Sequence, residues 1–186
     1  VVNPGSKFTG IVAGEDWMPT LLAAAGDPRI KEELLQGRKA GDKTFKVHLD
    51  GYNQMDYLSG KSNKSARDEF FYFSDDGDLL AIRYQRMKIH FMVQEATGIN
   101  VWRRPFTTLR APIFFDLEVD PFERGQEGMG YDDWWYRRSY IAVPVQNIVG
   151  KTLMTFKDFP PSQTAGSFNL TKMQKQIEEM SKTGSN

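Results

Sequence analysis

Residues 70–93 contain three runs of strand length whose connections are too short for anything but tight turns. The runs are Phe70–Ser74, Leu79–Tyr84 and Met87–Val93, and aromatic or β-branched side chains recur in each. A turn that contains Asp-Gly joins the first two runs, and Gln85-Arg86 joins the second and third. Connections this short link antiparallel neighbours, so the sequence predicts a β-meander.

Alternation along the third run indicates that one face of this sheet packs on a core. Apolar residues occupy every second position, and His90 lies on the other, more polar face, which favours a surface or supporting position for it over a catalytic one. Ile113–Leu117 predicts a fourth strand, and Asp120–Glu123 a turn after it. The long connection that contains Trp102 is either functional or a surface excursion.

Helices are expected on both sides of the strands. A short helix begins after Asp16, which we expect to be its N-cap, and carries Pro19 in its first turn, where a missing N–H costs little. A second helix spans Pro28–Gln36, and a polar loop, Gly37–Thr44, follows it. The first helix has one apolar stripe at helical spacing, formed by Met18, Leu21, Leu22 and Ala25.

The last third of the chain reads as helix and linker. Tyr131–Phe156 has helical character, and Pro144 is expected to kink this helix or split it in two. Phe159–Ser167 reads as an extended linker, Asn169–Met180 as a last helix, and Ser181–Asn186 as a fraying end. The fold class is therefore α+β, with a small four-stranded antiparallel sheet packed by helices.

Composition excludes several classes of function. The 24 basic and 24 acidic side chains give a formal net charge of zero, which removes the electrostatic case for nucleic acid or an anionic membrane as the main partner. The apolar runs are too short to span a bilayer. Without cysteine the chain has no disulfide, thiolate metal site or cysteine nucleophile, and two histidines make a poor inventory for a zinc site or a Ser-His-Asp centre.

Two stretches mimic ligand loops. Gly37–Thr44 resembles a phosphate loop, but Asp42 stands where that motif requires its second glycine. Asp75, Asp76 and Asp78 offer hard oxygen ligands for Ca²⁺, yet no glutamate follows at the spacing of a calcium loop. A solvated hairpin turn is the favoured interpretation of the three aspartates.

Two further sets of residues are candidate sites. His48 stands beside Asp50, and an enzyme that used this pair would need both side chains buried in a cleft, whereas a structural hydrogen bond needs neither. Trp134 and Trp135 lie among arginines and tyrosines, which suits stacking on a ligand, but burial of an amphipathic helix is the favoured interpretation. A stand-alone carbohydrate- or protein-binding module that uses Trp102 and these two tryptophans is therefore an alternative function.

Several motifs, in order, resemble segments of the sulfatase family, whose fold is related to that of alkaline phosphatases. The segments resemble that family's D-x-x-P-T-L-L, D-G…L-x-G, A-x-R…W-K and Y-D-L…D-P-x-E patterns and the closing segment of a group of bacterial arylsulfatases. Met87 stands where tryptophan is usual, and Arg124-Gly125-Gln126 replaces the usual asparagine-leucine pair. The matching residues are Asp16–Leu22 with Ala25-Gly26, Leu49–Gly51 with Leu58–Gly60, Ala81–Lys88, Phe115–Glu123, and Phe156–Leu170.

This resemblance implies that the chain is the C-terminal portion of a bacterial arylsulfatase-like hydrolase. It implies three parts: the tail end of a large α/β domain at 1–48, an antiparallel-sheet subdomain at 49–130, and a helical extension at 131–186. In the parent, a formylglycine made from Cys or Ser attacks the sulfate ester beside a Ca²⁺ ion, and both belong to the N-terminal catalytic part. No catalytic or metal-binding residue maps onto this chain, whose own cofactor complement is expected to be none.

Further expectations follow from the same resemblance. The chain alone is expected to be inactive, with His48 and Trp102 as its candidates for contact with substrate. The apolar stripe of the first helix is expected to be exposed or to mediate self-association, since its partner in the parent would be the large sheet. The sequence does not decide the compartment: a periplasmic or secreted location suits the parent, and a cytoplasmic one stays open.

Overall fold

A computed structural model describes residues 2–162 together with Gly166, Gln174 and Ile177. The predicted last helix, Asn169–Met180, and the fraying end, Ser181–Asn186, lie outside the described residues apart from those two single positions. The boundaries predicted for the three parts of the chain stay predictions.

Four strands form an antiparallel meander in the order β3-β4-β5-β6, which confirms the predicted sheet. Alternating side chains place Ile82, Ile89 and Phe114 in register on one face. The strands are β3 (Glu69–Phe73), β4 (Leu79–Tyr84), β5 (Met87–Val93) and β6 (Thr107–Asp116).

The fourth strand begins earlier than the predicted Ile113. Thr107 and Thr108 pair with Val93 and Met92, and the register then shifts before Ile113 pairs with His90. Pro112 lies in this irregular stretch, where the absence of its N–H costs no ladder hydrogen bond. The prediction missed the first half of β6 because its residues are largely exposed and carry no apolar alternation.

Two helices cover one face of the sheet and complete the core. Helix α4 spans Tyr131–Arg138 and helix α5 spans Ala142–Asp158, with a 3₁₀ turn at Ser139–Ile141 between them. The predicted split is therefore confirmed, and Pro144 lies in the first turn of α5, where its missing donor is harmless. The fully buried residues of this core are Ile82, Ile89, Phe114 and Val145.

The chain before the sheet contains three short helices and a hairpin. The predicted polar loop at Gly37–Thr44 is wrong: its residues form an antiparallel pair that turns at Gly41, whose φ of 60° suits glycine. The pairing was missed because these strands are short and almost entirely exposed. The elements are α1 (Trp17–Ala24), α2 (Ile30–Gln36), β1 (Arg38–Ala40), β2 (Lys43–Phe45) and α3 (Met55–Leu58).

Helix α1 turns most of its apolar stripe to solvent. Met18 is 51% exposed and Leu21 is 62% exposed, and Ala25 is exposed as well. The helix buries Pro19 and Thr20 instead. This exposure agrees with the expectation for a face that has lost a partner. Among the described residues, no helix has both the length and the hydropathy that crossing a bilayer requires.

Candidate functional site

Asp16 and Arg67 form a buried ion pair at the junction of α1 with the chain that enters the sheet. The guanidinium Nη2 lies 2.6 Å from Asp16 Oδ1, and Nε lies 3.1 and 3.0 Å from the two carboxylate oxygens. Asp16 is 1% exposed and Arg67 4% exposed. The expected N-cap role of Asp16 is wrong: its side chain makes no cap hydrogen bond to α1, because this charge requires a buried partner more than the helix requires a cap.

Further donors complete the environment of the Asp16 carboxylate. The backbone N–H groups of Ala13 and Tyr52 donate to it over 2.9 and 2.8 Å, and Gln54 Nε2 donates over 3.1 Å. Burial by itself raises the pKa of Asp16, but the hydrogen bonds from Arg67 and these donors outweigh burial and hold that pKa below its usual value. Asp16 is therefore a fixed anion that links three segments of the chain.

Gly51 lies against the start of α1 more closely than any side chain would allow. A Cβ atom on Gly51 would fall 2.1 Å from the carbonyl oxygen of Glu15 and 3.1 Å from Pro19 Cγ. The glycine thus permits Tyr52, its neighbour, to place its N–H on Asp16. Contact between two family-like motifs explains why each has its particular residue here.

Lys31, Tyr52 and Glu69 surround this pair on the side that faces a cleft of 490 Å³. Lys31 Nζ donates to the carbonyl of Gly51 over 3.0 Å and lies 4.4 Å from the centre of the Tyr52 ring, and burial lowers the pKa of Lys31. Tyr52 donates its hydroxyl to Glu69 over 2.5 Å. Burial and the Glu69 carboxylate raise the pKa of Tyr52 to about 12, so the phenol stays neutral.

His48 and Asp50 line the same cleft. His48 Nδ1 lies 3.0 Å from Asp50 Oδ1, so the structure brings the predicted pair together. The Asp50 side chain is 71% exposed, however, and a catalytic pair would need both groups buried. The contact is a surface hydrogen bond in this chain, and the candidacy of His48 for substrate contact stays a prediction.

A second cluster lies on the face of the sheet opposite α4 and α5. Glu123 accepts from Lys88 Nζ through Oε1 and meets His90 Nε2 through Oε2, both at 2.6 Å. All three side chains are at most 26% exposed. Burial lowers the pKa of His90 although the hydrogen bond to Glu123 opposes that shift, which favours a neutral imidazole. His90 is therefore a half-buried member of a cluster rather than a plain surface residue.

The tryptophans differ in their surroundings. Trp135 stacks on Phe114 with ring centroids 5.7 Å apart, and its indole N–H donates to the carbonyl of Pro112 over 2.8 Å. Trp134 stacks on Tyr131 at 5.8 Å. These two side chains pack α4 on the sheet, which confirms the favoured interpretation of burial. Trp102 is 80% exposed and remains a candidate for contact with a ligand.

The aspartates at 75, 76 and 78 belong to a turn built around Ser74. Ser74 Oγ accepts from the backbone N–H of Asp76 over 3.2 Å and from that of Asp78 over 3.0 Å. Within the described part of the chain, no group of three His, Cys, Asp or Glu side chains is placed to hold a metal ion. The turn interpretation agrees with these contacts.

Sequence reasoning missed Arg67 and the pairing of Glu123. Arg67 lies 51 residues from Asp16, and Glu123 lies 33 residues from His90, so no local spacing connects either pair. The only available signal was that Asp16 and Glu123 each lie within a segment that resembles a family motif.

Comparisons with known proteins give two solved structures. No family model and no curated protein matches the chain. The PsFucS1 sulfatase from Pseudoalteromonas sp. is 26% identical with a TM-score of 0.44, and the match covers 61% of this chain and 22% of that one. This chain resembles part of a sulfatase. A Bacteroides thetaiotaomicron 6S-sulf, described with the metabolism of multiple glycosaminoglycans, is 19% identical with a TM-score of 0.43, covering 78% of this chain and 27% of that one.

Both neighbours carry sulfatase in their descriptions, in agreement with the family that the motifs resemble. The chain spans about a quarter of the length of each, 22% and 27%. This share is consistent with a fragment of a longer chain.

Proposed function

We propose that this chain is the C-terminal part of a sulfuric ester hydrolase of the arylsulfatase type. One observation carries the proposal: residues of separate family-like motifs contact one another. Asp16, from the first motif, accepts the N–H that follows Gly51 in the second. Lys88, at the end of the hairpin motif, binds Glu123 at the end of the D-P-x-E turn.

A third contact joins the same two later motifs. Arg86 Nε donates to Asp116 Oδ2 over 2.9 Å, and Asp116 is 5% exposed. A chance succession of short motifs has no reason to produce such pairing, whereas a shared fold requires it. Motif residues that pair in space therefore support descent of the whole succession from one fold rather than from scattered coincidences.

In this proposal the chain supplies structure and one wall of the parent, and the chemistry comes from elsewhere. The family resemblance assigns the formylglycine nucleophile and the Ca²⁺ ion to the N-terminal catalytic part of the parent. The exposed face of α1, with Met18 and Leu21, is the surface that would pack on that part. Hydrolysis of sulfate esters is thus a property of the parent and not of this chain.

The experiment compares the encoded parent with this chain. We expect the coding sequence ahead of Val1 to contain a Cys- or Ser-x-Pro-x-Arg motif. The purified parent should hydrolyse 4-nitrophenyl sulfate in the presence of Ca²⁺, and the chain alone should not. A parent whose modified Cys or Ser is replaced by Ala serves as the control. Turnover by the chain alone, or a gene without that motif, would refute the proposal.

A further inference from the structure

The face of the sheet that the helices leave uncovered carries a cleft of 380 Å³. Strand alternation brings Tyr72, His90 and Ile113 to this face, and Phe115 lies beside them. The volume falls in the range of about 300–1,000 Å³ that pockets for small ligands occupy. Aromatic rings and polar side chains therefore share one concave surface.

The polar groups in the cleft are held in place. Both oxygens of Glu123 are engaged, by Lys88 and by His90, and the Lys88 ammonium also lies 4.6 Å from the centre of the Tyr72 ring. Glu123 has a φ of 56°, a conformation uncommon for a residue with a side chain. The following N–H groups, of Arg124 and Gly125, both donate to Asp120, which fixes this turn at the edge of the cleft.

An exposed loop adjoins the cleft. Gln94 and Phe106 line the cleft, and the residues between them form the loop. The Gln94 amide donates to the carbonyls of Val101 and Arg104 over 3.3 and 3.0 Å, and its oxygen accepts from Ala96 N–H over 3.0 Å. One cleft residue thereby fixes the shape of the loop that displays Trp102.

The arginines of this region stand out by their lack of carboxylate partners. Arg103, Arg104 and Arg110 are exposed, and none forms an ion pair with any residue that the structure describes. The guanidinium groups that do form ion pairs belong to Arg29, Arg38, Arg67, Arg86, Arg124 and Arg137. A planar guanidinium without a carboxylate suits a sulfate or carboxylate of a ligand, which it binds in bidentate geometry.

We propose that the cleft and the loop together bind a sulfated saccharide chain. One sugar ring lies in the cleft against the aromatic rings, and Glu123, Gln94 and Gln126 offer hydrogen bonds to its hydroxyl groups. A neighbouring ring stacks on Trp102, and a sulfate group meets Arg103 or Arg104. The expectation of sulfate rests on the proposed function, whereas the saccharide site rests on the cleft itself. The zero net charge disfavours nucleic acid as the occupant.

Calorimetric titration of the 186-residue chain tests this inference with three probes. They are a chondroitin sulfate hexasaccharide, the same hexasaccharide after desulfation, and a single-stranded DNA of equal charge. Trp102→Ala should weaken binding of both saccharides by about tenfold, because either sugar would lose the stacking ring. The double change Arg103→Gln with Arg104→Gln should weaken only the sulfated probe, by about the same factor.

Matched controls come from helix α4 and from the turn before it. Tyr136→Ala removes an aromatic ring that is 75% exposed, and Arg124→Gln with Arg137→Gln removes two exposed arginines. Neither control should change affinity for a saccharide. Gln126→Ala, in an exposed turn, tests the cleft without threatening the core and should weaken both saccharides.

Absence of saccharide binding, or loss of affinity in the controls equal to that in the loop variants, would overturn the inference. Tighter binding of DNA than of either saccharide would overturn it as well. Because titration of the chain requires no turnover, a negative result here leaves the proposed function intact. A parent gene without the Cys- or Ser-x-Pro-x-Arg motif would instead refute the proposed function and leave the saccharide site standing.

Discussion

Replacement of Arg67 by methionine should destabilise the chain more than any comparable loss of a surface arginine. Methionine has a long unbranched apolar side chain and removes the guanidinium without opening a large cavity. The Asp16 carboxylate, 1% exposed, would keep its three donors from Ala13, Tyr52 and Gln54 but lose its only cationic partner in the described structure. It would become a buried charge without compensation.

The magnitude follows from the burial of both partners. Breaking a buried ion pair by removing one partner costs about 3–5 kcal/mol, because the other charge stays desolvated. Asp16→Asn should cost less than Arg67→Met, since Arg67 would retain Glu15 at 3.1 Å and the carbonyls of Asp50 and Glu69. The double variant should be more stable than the sum of the single losses predicts, because the contact is shared.

Urea unfolding followed by circular dichroism and tryptophan fluorescence measures these differences, and coincident transitions would justify a two-state treatment. The control is Arg137→Met. Arg137 pairs with Asp133 over 2.8 Å, but both side chains are about 70% exposed, so its loss should cost well under about 1 kcal/mol. The contrast between the two variants isolates the effect of burial at equal chemistry.

The pH dependence gives a second measurement of the same pair. The pKa of Asp16 is lower in the folded chain than in the unfolded chain, so its stabilising contribution is complete above a pH of about 4. That contribution is lost as pH falls through the lowered pKa, because the unfolded state then binds the proton more readily. Arg67→Met removes the largest lowering cause, so its deficit relative to the original chain should shrink in acid.

One result would refute this reasoning. A loss of less than about 1 kcal/mol for Arg67→Met at neutral pH, equal to that for Arg137→Met, would mean that the pair behaves as an exposed one. The junction of α1 with the sheet would then have to be explained by the packing of Gly51 and Pro19 alone.

Three other changes have defined outcomes. Gly51→Ala should cost about 1–3 kcal/mol in urea unfolding because its Cβ meets the Glu15 backbone, while Gly14→Ala, with nothing within 4 Å, should cost far less. His90→Gln should flatten the decline of stability as pH falls from about 6.5 through the lowered pKa of His90, where the unfolded imidazole binds the proton more readily. Leu21→Asp should leave the unfolding midpoint of the chain nearly unchanged, since Leu21 is 62% exposed, but should shift any dimer toward monomer in sedimentation velocity.

The sheet was predictable because its signals are local. Period-two alternation and short turns define β4 and β5 within a few residues, and the structure gives both strands the predicted bounds. The start of β6 and the hairpin at Gly41 escaped because their strands are exposed and so carry no apolar pattern. Burial produces the signal that sequence analysis reads, and exposed pairing leaves little trace.

The sites were harder to predict for a related reason. His48 and Asp50 could be paired from the sequence because they lie two positions apart. Asp16 looked like an N-cap because aspartate before a helix usually is one, and only the fold reveals that Arg67 competes for it. A buried carboxylate favours the partner that neutralises its charge, and that partner can come from any distance along the chain.

The distribution of satisfied and unsatisfied groups separates structural residues from candidates for binding. Asp16, Asp116 and Glu123 lie in the family-like motifs, and each is matched by a cation from elsewhere in this chain. Such residues stabilise the fold and have little capacity left for a ligand. Trp102 and the exposed stripe of α1 are not matched by anything in the described structure. A ligand or the rest of the parent should therefore meet this chain at those surfaces, and substitutions there should change binding while leaving stability intact.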